Sequence, residues 1–166
     1  MKKLLFYNPD PCTGCLNCVL TCAQERGGSA GPAVARIRID IDIFGGPHAI
    51  SVCRQCEKAA CAEACPEGAI VRHPESGSWI IDKEKCVSCL TCVDACPFNA
   101  LFVHPENSSP LKCDLCGGRP RCAEACAFGA LRFGDADDES LQRLGIPESD
   151  QDPLLGKGPP NKPGAP

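Results

Sequence analysis

Sixteen cysteines fall into four groups of four, and no cysteine is left over. Group one is Cys12, Cys15, Cys18 and Cys22, spaced C-x2-C-x2-C-x3-C; group two is Cys53, Cys56, Cys61 and Cys65, spaced C-x2-C-x4-C-x3-C. Group three, Cys86, Cys89, Cys92 and Cys96, repeats the spacing of group one, and group four is Cys113, Cys116, Cys122 and Cys126 with C-x2-C-x5-C-x3-C. Ordinary apolar material is thin: Leu, Ile, Val and Phe together make 35 of 166 residues. Apolar burial is the main favourable term in folding, so something bound by the cysteines must supply part of the stabilisation.

Disulfides are the first alternative, and the compartment argues against them. The start Met1-Lys2-Lys3-Leu4-Leu5-Phe6-Tyr7-Asn8-Pro9 is too short in apolar residues for a signal-peptide core. It has no Arg-Arg pair, and no run of 18 apolar residues offers a membrane span. The expected location is the cytoplasm, where disulfides are rare. Metal is then the use for the thiols. Zinc closes a tetrahedron with single thiolates, typically from two distant C-x2-C turns, which leaves the third closely spaced cysteine of each group unexplained. A cubane [4Fe-4S] cluster presents several irons close together, so C-x2-C-x2-C can wrap it and ligate three in succession, with a distant thiolate on the fourth. Where C-x2-C-x2-C-x3-C-P occurs in two-cluster proteins, the fourth cysteine ligates the other cluster of the pair. Four groups therefore imply four [4Fe-4S] clusters, with all sixteen cysteines as ligands. Spacing alone leaves the exchange of fourth cysteines open: groups one with two and three with four, or a nested arrangement.

The groups are repeats of one unit. Cys61, Cys65, Pro66, Ala69, His73, Pro74 and Glu75 recur 31 residues later as Cys92, Cys96, Pro97, Ala100, His104, Pro105 and Glu106, and a third copy runs from Cys122 and Cys126 to Ala130 and Leu131. Each copy reads as a helical turn carrying the last two cysteines, a bend and a short apolar strand.

Asp10-Pro11-Cys12-Thr13-Gly14-Cys15-Leu16-Asn17-Cys18, Cys53 to Cys61, Asp82 to Cys92, and Lys112-Cys113-Asp114-Leu115-Cys116 with Arg119 shortly after together resemble the four-cluster iron-sulfur subunits of multisubunit oxidoreductases. That family serves molybdenum- and tungsten-pterin enzymes (aldehyde oxidoreductase, formate dehydrogenase and dimethyl-sulfoxide reductase types), carbon monoxide dehydrogenases and some hydrogenases. The resemblance implies an α+β fold of two ferredoxin-like 2[4Fe-4S] modules related by internal duplication, and it implies the nested pairing. One cluster then takes Cys12, Cys15, Cys18 and Cys126, and its partner takes Cys113, Cys116, Cys122 and Cys22. A third takes Cys53, Cys56, Cys61 and Cys96, and the fourth takes Cys86, Cys89, Cys92 and Cys65. The chain departs from the pattern at Ala23 and Ala127, where groups two and three have Pro66 and Pro97.

Between groups one and two, Ile37, Ile39, Ile41 and Ile43 alternate with charge, the signature of a half-buried strand over 34–43. Residues 79–81, beginning at Trp79, read as a second strand, with Trp79 packed beside a cluster. His73 and His104 each precede a proline and are expected to serve turns, because cysteines already satisfy the irons. Residues 1–134 hold 14 basic and 14 acidic side chains, whereas 135–166 hold 3 and 7, so the formal charge of −4 resides in the tail. Nothing here favours nucleic acid. Each oxidised cluster with four thiolates carries about −2, which Arg54, Lys58, Lys85, Lys112, Arg119 and Arg121 are placed to offset.

Six prolines and four glycines in residues 135–166 exclude a packed element beyond a short helix over 135–144. The tail is expected to serve as an arm along a partner, held by Leu154 and Leu155. No catalytic constellation appears: there is no nucleotide loop, no Walker motif and no open metal site. The expected function is non-catalytic relay of single electrons between a catalytic oxidoreductase subunit, in first place a tungsten- or molybdenum-pterin enzyme of the aldehyde type, and a second redox subunit or carrier. A freely diffusing polyferredoxin, a subunit of a carbon monoxide dehydrogenase, formate dehydrogenase or hydrogenase complex, and a zinc-built scaffold are the alternatives.

Overall fold

A computed structural model describes residues 3–28, 31–44 and 46–135. The chain order is β1 (Lys3–Tyr7), α1 (Asn17–Gly27), β2 (Ile37–Asp40), β3 (Ala49–Val52), α2 (Ala60–Glu63), β4 (Ile70–Arg72) and β5 (Trp79–Ile81). After these come α3 (Thr91–Asp94), β6 (Leu101–Val103), β7 (Pro110–Lys112), α4 (Arg121–Glu124) and β8 (Leu131–Asp135). Short 3-10 turns at Pro32–Val34 and Leu115–Gly117 complete it. The helix expected over 135–144 and the Leu154–Leu155 arm lie outside the described residues, except that Asp135 closes β8.

Every sheet is a two-stranded antiparallel ribbon: β1 with β8, β2 with β3, β4 with β5, and β6 with β7. Isolated ribbons of this size are marginal in water, and helices of four residues cannot stand alone. Packing around the cysteines has to hold them. The β1–β8 ribbon ties the beginning of the chain to residues 131–135, with Leu5 opposite Phe133 and Tyr7 opposite Leu131. Two apolar clusters form. The larger joins Leu5, Tyr7, Val19, Ala23, Ile37, Ile50, Val52, Leu115 and Leu131 to Cys22, Cys53, Cys113 and Cys122; the smaller is Ala59, Cys61, Ile70, Cys92 and Leu101, flanked by Trp79 and Ile81.

The helix, bend and strand expected in each copy occur in α2 to β4, α3 to β6 and α4 to β8. In each, the helix carries only the third cysteine, and Cys65, Cys96 and Cys126 follow two residues past its end. Group one differs. Its helix α1 continues through Cys22 to Gly27 and ends on Gly28 in the left-handed conformation. Ala23, wholly buried in that helix, occupies a position where proline would remove a hydrogen bond and clash with the preceding turn. Nothing in the structure explains Ala127.

The strand expected over 34–43 is shorter. Pairing with β3 ends at Asp40 opposite Ala49, so burial falls from 1% exposure at Ile37 to 46% at Ile41, 81% at Ile43 and 94% at Phe44. The alternating pattern persists beyond the last residue that has a partner strand to bury it. The strand at Trp79 forms as expected, and Trp79 Nε1 donates to the Cys56 carbonyl at 2.8 Å, beside group two. His73 Nδ1 accepts from the Ser76 amide and His104 Nδ1 from the Glu106 amide, which makes both histidines turn residues.

Candidate metal centres

The cysteine loops turn inward through backbone that side-chain-bearing residues seldom adopt. Leu16 and Leu90, each following the second cysteine of its group, have φ of 61° and 64°, and Gln55, Leu115 and Cys116 lie at 52°, 55° and 51°. A left-handed residue other than glycine costs about 1–2 kcal/mol, and such conformations survive where the surroundings over-determine them, commonly at functional sites. Gly14, at φ +65°, is required twice over, since a Cβ there would also stand 3.0 Å from His48 Nε2.

These turns gather thiols around volumes. One cavity, about 400 Å³ including its opening to solvent, is lined by Cys12, Cys15, Cys18 and Cys126 against Tyr7, Ile39 and Leu131. A second, about 340 Å³, is lined by Cys65, Cys86, Cys89 and Cys92 against Ile70, Ile81 and Leu90. The other eight cysteines gather as well: Cys61 feels the charges of Cys53, Cys56 and Cys96, and Cys122 those of Cys113, Cys22 and Cys116. Among the described residues, no three His, Cys, Asp or Glu side chains converge as a single bound ion would need.

Burial, reinforced by neighbouring sulfurs, raises the thiols of Cys18 and Cys92 to about 11 and that of Cys113 to about 12. Cys22 and Cys122 are also pushed up by burial. Such thiols keep their protons until a metal displaces them. Cys89 is the opposite case, fully exposed and lowered by the hydroxyl of Thr91, which donates to its sulfur at 3.4 Å. Cys15 and Cys89 are exposed, whereas Cys22, Cys53, Cys61, Cys92, Cys113 and Cys122 are buried.

Backbone amides point at the sulfurs. Ala69 N donates to Cys65 Sγ at 3.3 Å and Ala100 N to Cys96 Sγ at 3.4 Å, each four residues past its cysteine, and Leu131 N, five residues past, donates to Cys126 Sγ at 3.3 Å. Cys22, deep inside its longer helix, receives its bond instead from the distant Arg36 N at 3.3 Å. Thiol groups surrounding a cavity, amide donors aimed at sulfur, and the buried Lys112 beside them make a donor set that fits an anionic iron-sulfur cluster.

The expected charge-offsetting cations divide on inspection. Lys112 is buried and donates to Cys53 Sγ at 3.0 Å. Arg119 and Arg121 instead pair with Glu124 at 2.7 and 2.9 Å, Lys85 lies 3.8 Å from Asp82, and Arg54 stacks over the Phe98 ring at 3.7 Å. Lys58 is exposed. The spacing argument missed Arg26 and Arg36, which flank Asp114 at 2.9 and 3.1 Å, while Asp114 accepts from the Cys116 amide. It also missed Gln55, which is buried, donates to the Cys113 carbonyl at 2.8 Å and accepts from the Trp79 amide at 2.7 Å. No local signal marks these residues, because their partners are distant in sequence.

Residues 48–136 match the model of the 4Fe-4S dicluster domain. The chain belongs to this iron-sulfur family. With sixteen cysteines it carries four [4Fe-4S] clusters. It is 37% identical over 122 residues to the polyferredoxin-like subunit of an aliphatic sulfonate oxidoreductase of Pyrococcus furiosus, covering 74% of this chain and 70% of that protein. It is 35% identical to the beta subunit of an NADH-dependent phenylglyoxylate dehydrogenase of Aromatoleum evansii, covering 76% of this chain but only 29% of that longer protein. It is 31% identical to a probable anaerobic dimethyl sulfoxide reductase chain of Escherichia coli, covering 80% and 73%. The chain is thus an iron-sulfur electron-transfer protein of the kind found as subunits of oxidoreductase complexes. No helix among the described residues is long and apolar enough to cross a membrane.

Proposed function

We propose that this chain relays single electrons between a catalytic oxidoreductase subunit and a second redox partner, through four clusters held as two ferredoxin-like modules related by internal duplication. The ligand sets are Cys12, Cys15, Cys18 and Cys126; Cys113, Cys116, Cys122 and Cys22; Cys53, Cys56, Cys61 and Cys96; and Cys86, Cys89, Cys92 and Cys65. The observation that carries this reading is the lining of the two cavities, each of which gathers three cysteines of one group and the fourth of another. Each bound cluster supplies one-electron chemistry between its 2+ and 1+ states. The chain's own residues exclude water, aim amides at the sulfurs and leave one exposed thiol at each terminal set, Cys15 and Cys89, where electrons enter and leave. No residue of this chain makes or breaks substrate bonds.

The catalytic partner is, in this reading, a tungsten- or molybdenum-pterin enzyme of the aldehyde type in the cytoplasm, and residues 135–166 form an arm laid along it. The subunit names of the relatives favour a stable complex over free diffusion. Anaerobic purification of the tagged protein should bring down one stoichiometric partner, identified by mass spectrometry, with about 16 iron and 16 sulfide per chain. A chain that purifies alone and serves several enzymes would mark a diffusing polyferredoxin. The pairing is tested with Cys22→Ser, which should alter the cluster of Cys113, Cys116 and Cys122 and spare that of Cys12, Cys15 and Cys18. A structure placing Cys22 with a group-two loop sinks the assignment.

A further inference from the structure

Among the described residues, Lys112 stands apart from the other cations. It is only 3% exposed, although lysine is among the residues least often buried. Its three ammonium protons have three partners: Cys53 Sγ at 3.0 Å, the Trp79 carbonyl at 2.9 Å and the Cys113 carbonyl at 3.3 Å. A buried ammonium is costly unless it is paired, and two carbonyls offer dipoles only. The formal negative charge in this cage is the sulfur.

The place of this cage in the fold gives it a role. Cys53 belongs to group two and Cys113 to group four, and the charge of Cys53 acts on Cys113. Around them Gln55 fastens the group-two loop to the Cys113 carbonyl and to Trp79, and Ser78 Oγ donates to the Asp114 carbonyl at 3.0 Å. This is the junction of the two halves, and Lys112 is the cation at its centre.

We propose that Lys112 is a positioning residue for electron transfer across this junction: its fixed charge on Cys53 Sγ raises the reduction potential of the cluster held by Cys53, Cys56, Cys61 and Cys96. This rests on the ligand sets proposed above. A positive charge beside a ligand sulfur favours the reduced cluster, which carries one more electron. The effect is asymmetric, because Lys112 touches Cys53 through sulfur and Cys113 only through its carbonyl. The cluster of Cys113 would therefore shift less, so the difference between the two potentials would move in favour of the group-two side.

The test is a redox titration of the intact, cluster-loaded chain, followed by electron paramagnetic resonance, comparing wild type with Lys112→Gln and Lys112→Arg. Gln keeps a hydrogen-bond donor and removes the charge; Arg keeps the charge. Lys112→Gln should lower one potential, changing its reduced-to-oxidised ratio at fixed potential about tenfold, about 59 mV for one electron, and Lys112→Arg should restore most of it. The cluster that moves should be the one whose signal Cys96→Ser alters. Unchanged potentials in a Lys112→Gln chain that keeps its iron overturn the role of Lys112. A shift confined to a cluster that Cys96→Ser leaves untouched overturns the proposal by breaking the ligand sets beneath it. Should Lys112→Gln fail to load, the wild-type chain decides: with 15N-lysine, pulsed resonance should show nitrogen coupling to a reduced cluster that vanishes in Lys112→Arg, and its absence from the wild-type chain overturns the contact.

Discussion

Groups one and four, together with Cys53 of group two, sit in a cluster of fifteen buried residues fed by β1, α1, β2, β3, α4, β8 and the turn at Leu115, whereas the rest of groups two and three share a core of five, two of them cysteines. The first half has an eleven-residue helix and a five-residue ribbon; the second has four-residue helices and three-residue strands. The first therefore has apolar burial of its own beside its thiols. The second leans almost wholly on what its thiols bind, because so little apolar area leaves water there. One chain thus shows the same cysteine spacing held in two ways, and the difference lies in the residues between the groups.

The sharpest way to break this comparison is to remove the iron. Chelation of the reduced protein should release the amides of residues 59–103 to hydrogen exchange first, while the β1–β8 ribbon keeps measurable protection; simultaneous loss everywhere would abolish the distinction. Reloading then works against protons in both halves. Cys92 and Cys113, raised to about 11 and 12, are protonated in the iron-free chain at neutral pH, so uptake should release protons and tighten as pH rises towards those values. Proton release followed in a weakly buffered reconstitution checks the sign.

Ala23 and Ala127 sharpen the comparison further, since both replace the proline of groups two and three. Ala23→Pro should break α1 and cost about 3 kcal/mol or more, seen as a lower denaturation midpoint and loss of the cluster that Cys22 serves. Ala127→Pro, exposed in a turn past the end of α4, should stay within about 0.5 kcal/mol. Asp114→Asn falls between these two. The ion pairs with Arg26 and Arg36 are partly exposed, at 26% for Arg26, 18% for Arg36 and 20% for Asp114, so stability should change by about 1 kcal/mol or less. The two guanidinium groups are left facing Cys22 and Cys116, and the potential of the cluster proposed for these two cysteines should rise.

Cysteine spacing made the four clusters legible because each is wrapped by neighbours in sequence, and the helix–bend–strand unit repeats within some 14 residues. The half-buried strand was legible only as far as Ile37 and Ile39; no pattern inside 34–43 says that β3 stops pairing at Ala49. The length of α1 was likewise hidden, Ala23 being a mild hint at best. Lys112 looked like any lysine beside a motif, and its burial is decided by Trp79 and Cys53, 33 and 59 residues away. Local chemistry can be read along the chain, whereas burial is settled between segments that the chain brings together late.

The β1–β8 ribbon also sets a timetable. A ribosome adds about 5–20 residues per second, so Cys12, Cys15 and Cys18 are made well before Cys126, which lines the same cavity, and before Leu131 and Phe133, which pair with Tyr7 and Leu5. On the ligand sets proposed above, groups two and three are complete by Cys96 and can be loaded while the rest of the chain is still emerging. The group-one thiols meanwhile stand open, exposed to oxidation and to stray metals, until almost the entire described chain has been synthesised. Whatever delivers iron and sulfide to this protein finds the inner half ready first and closes the outer half last.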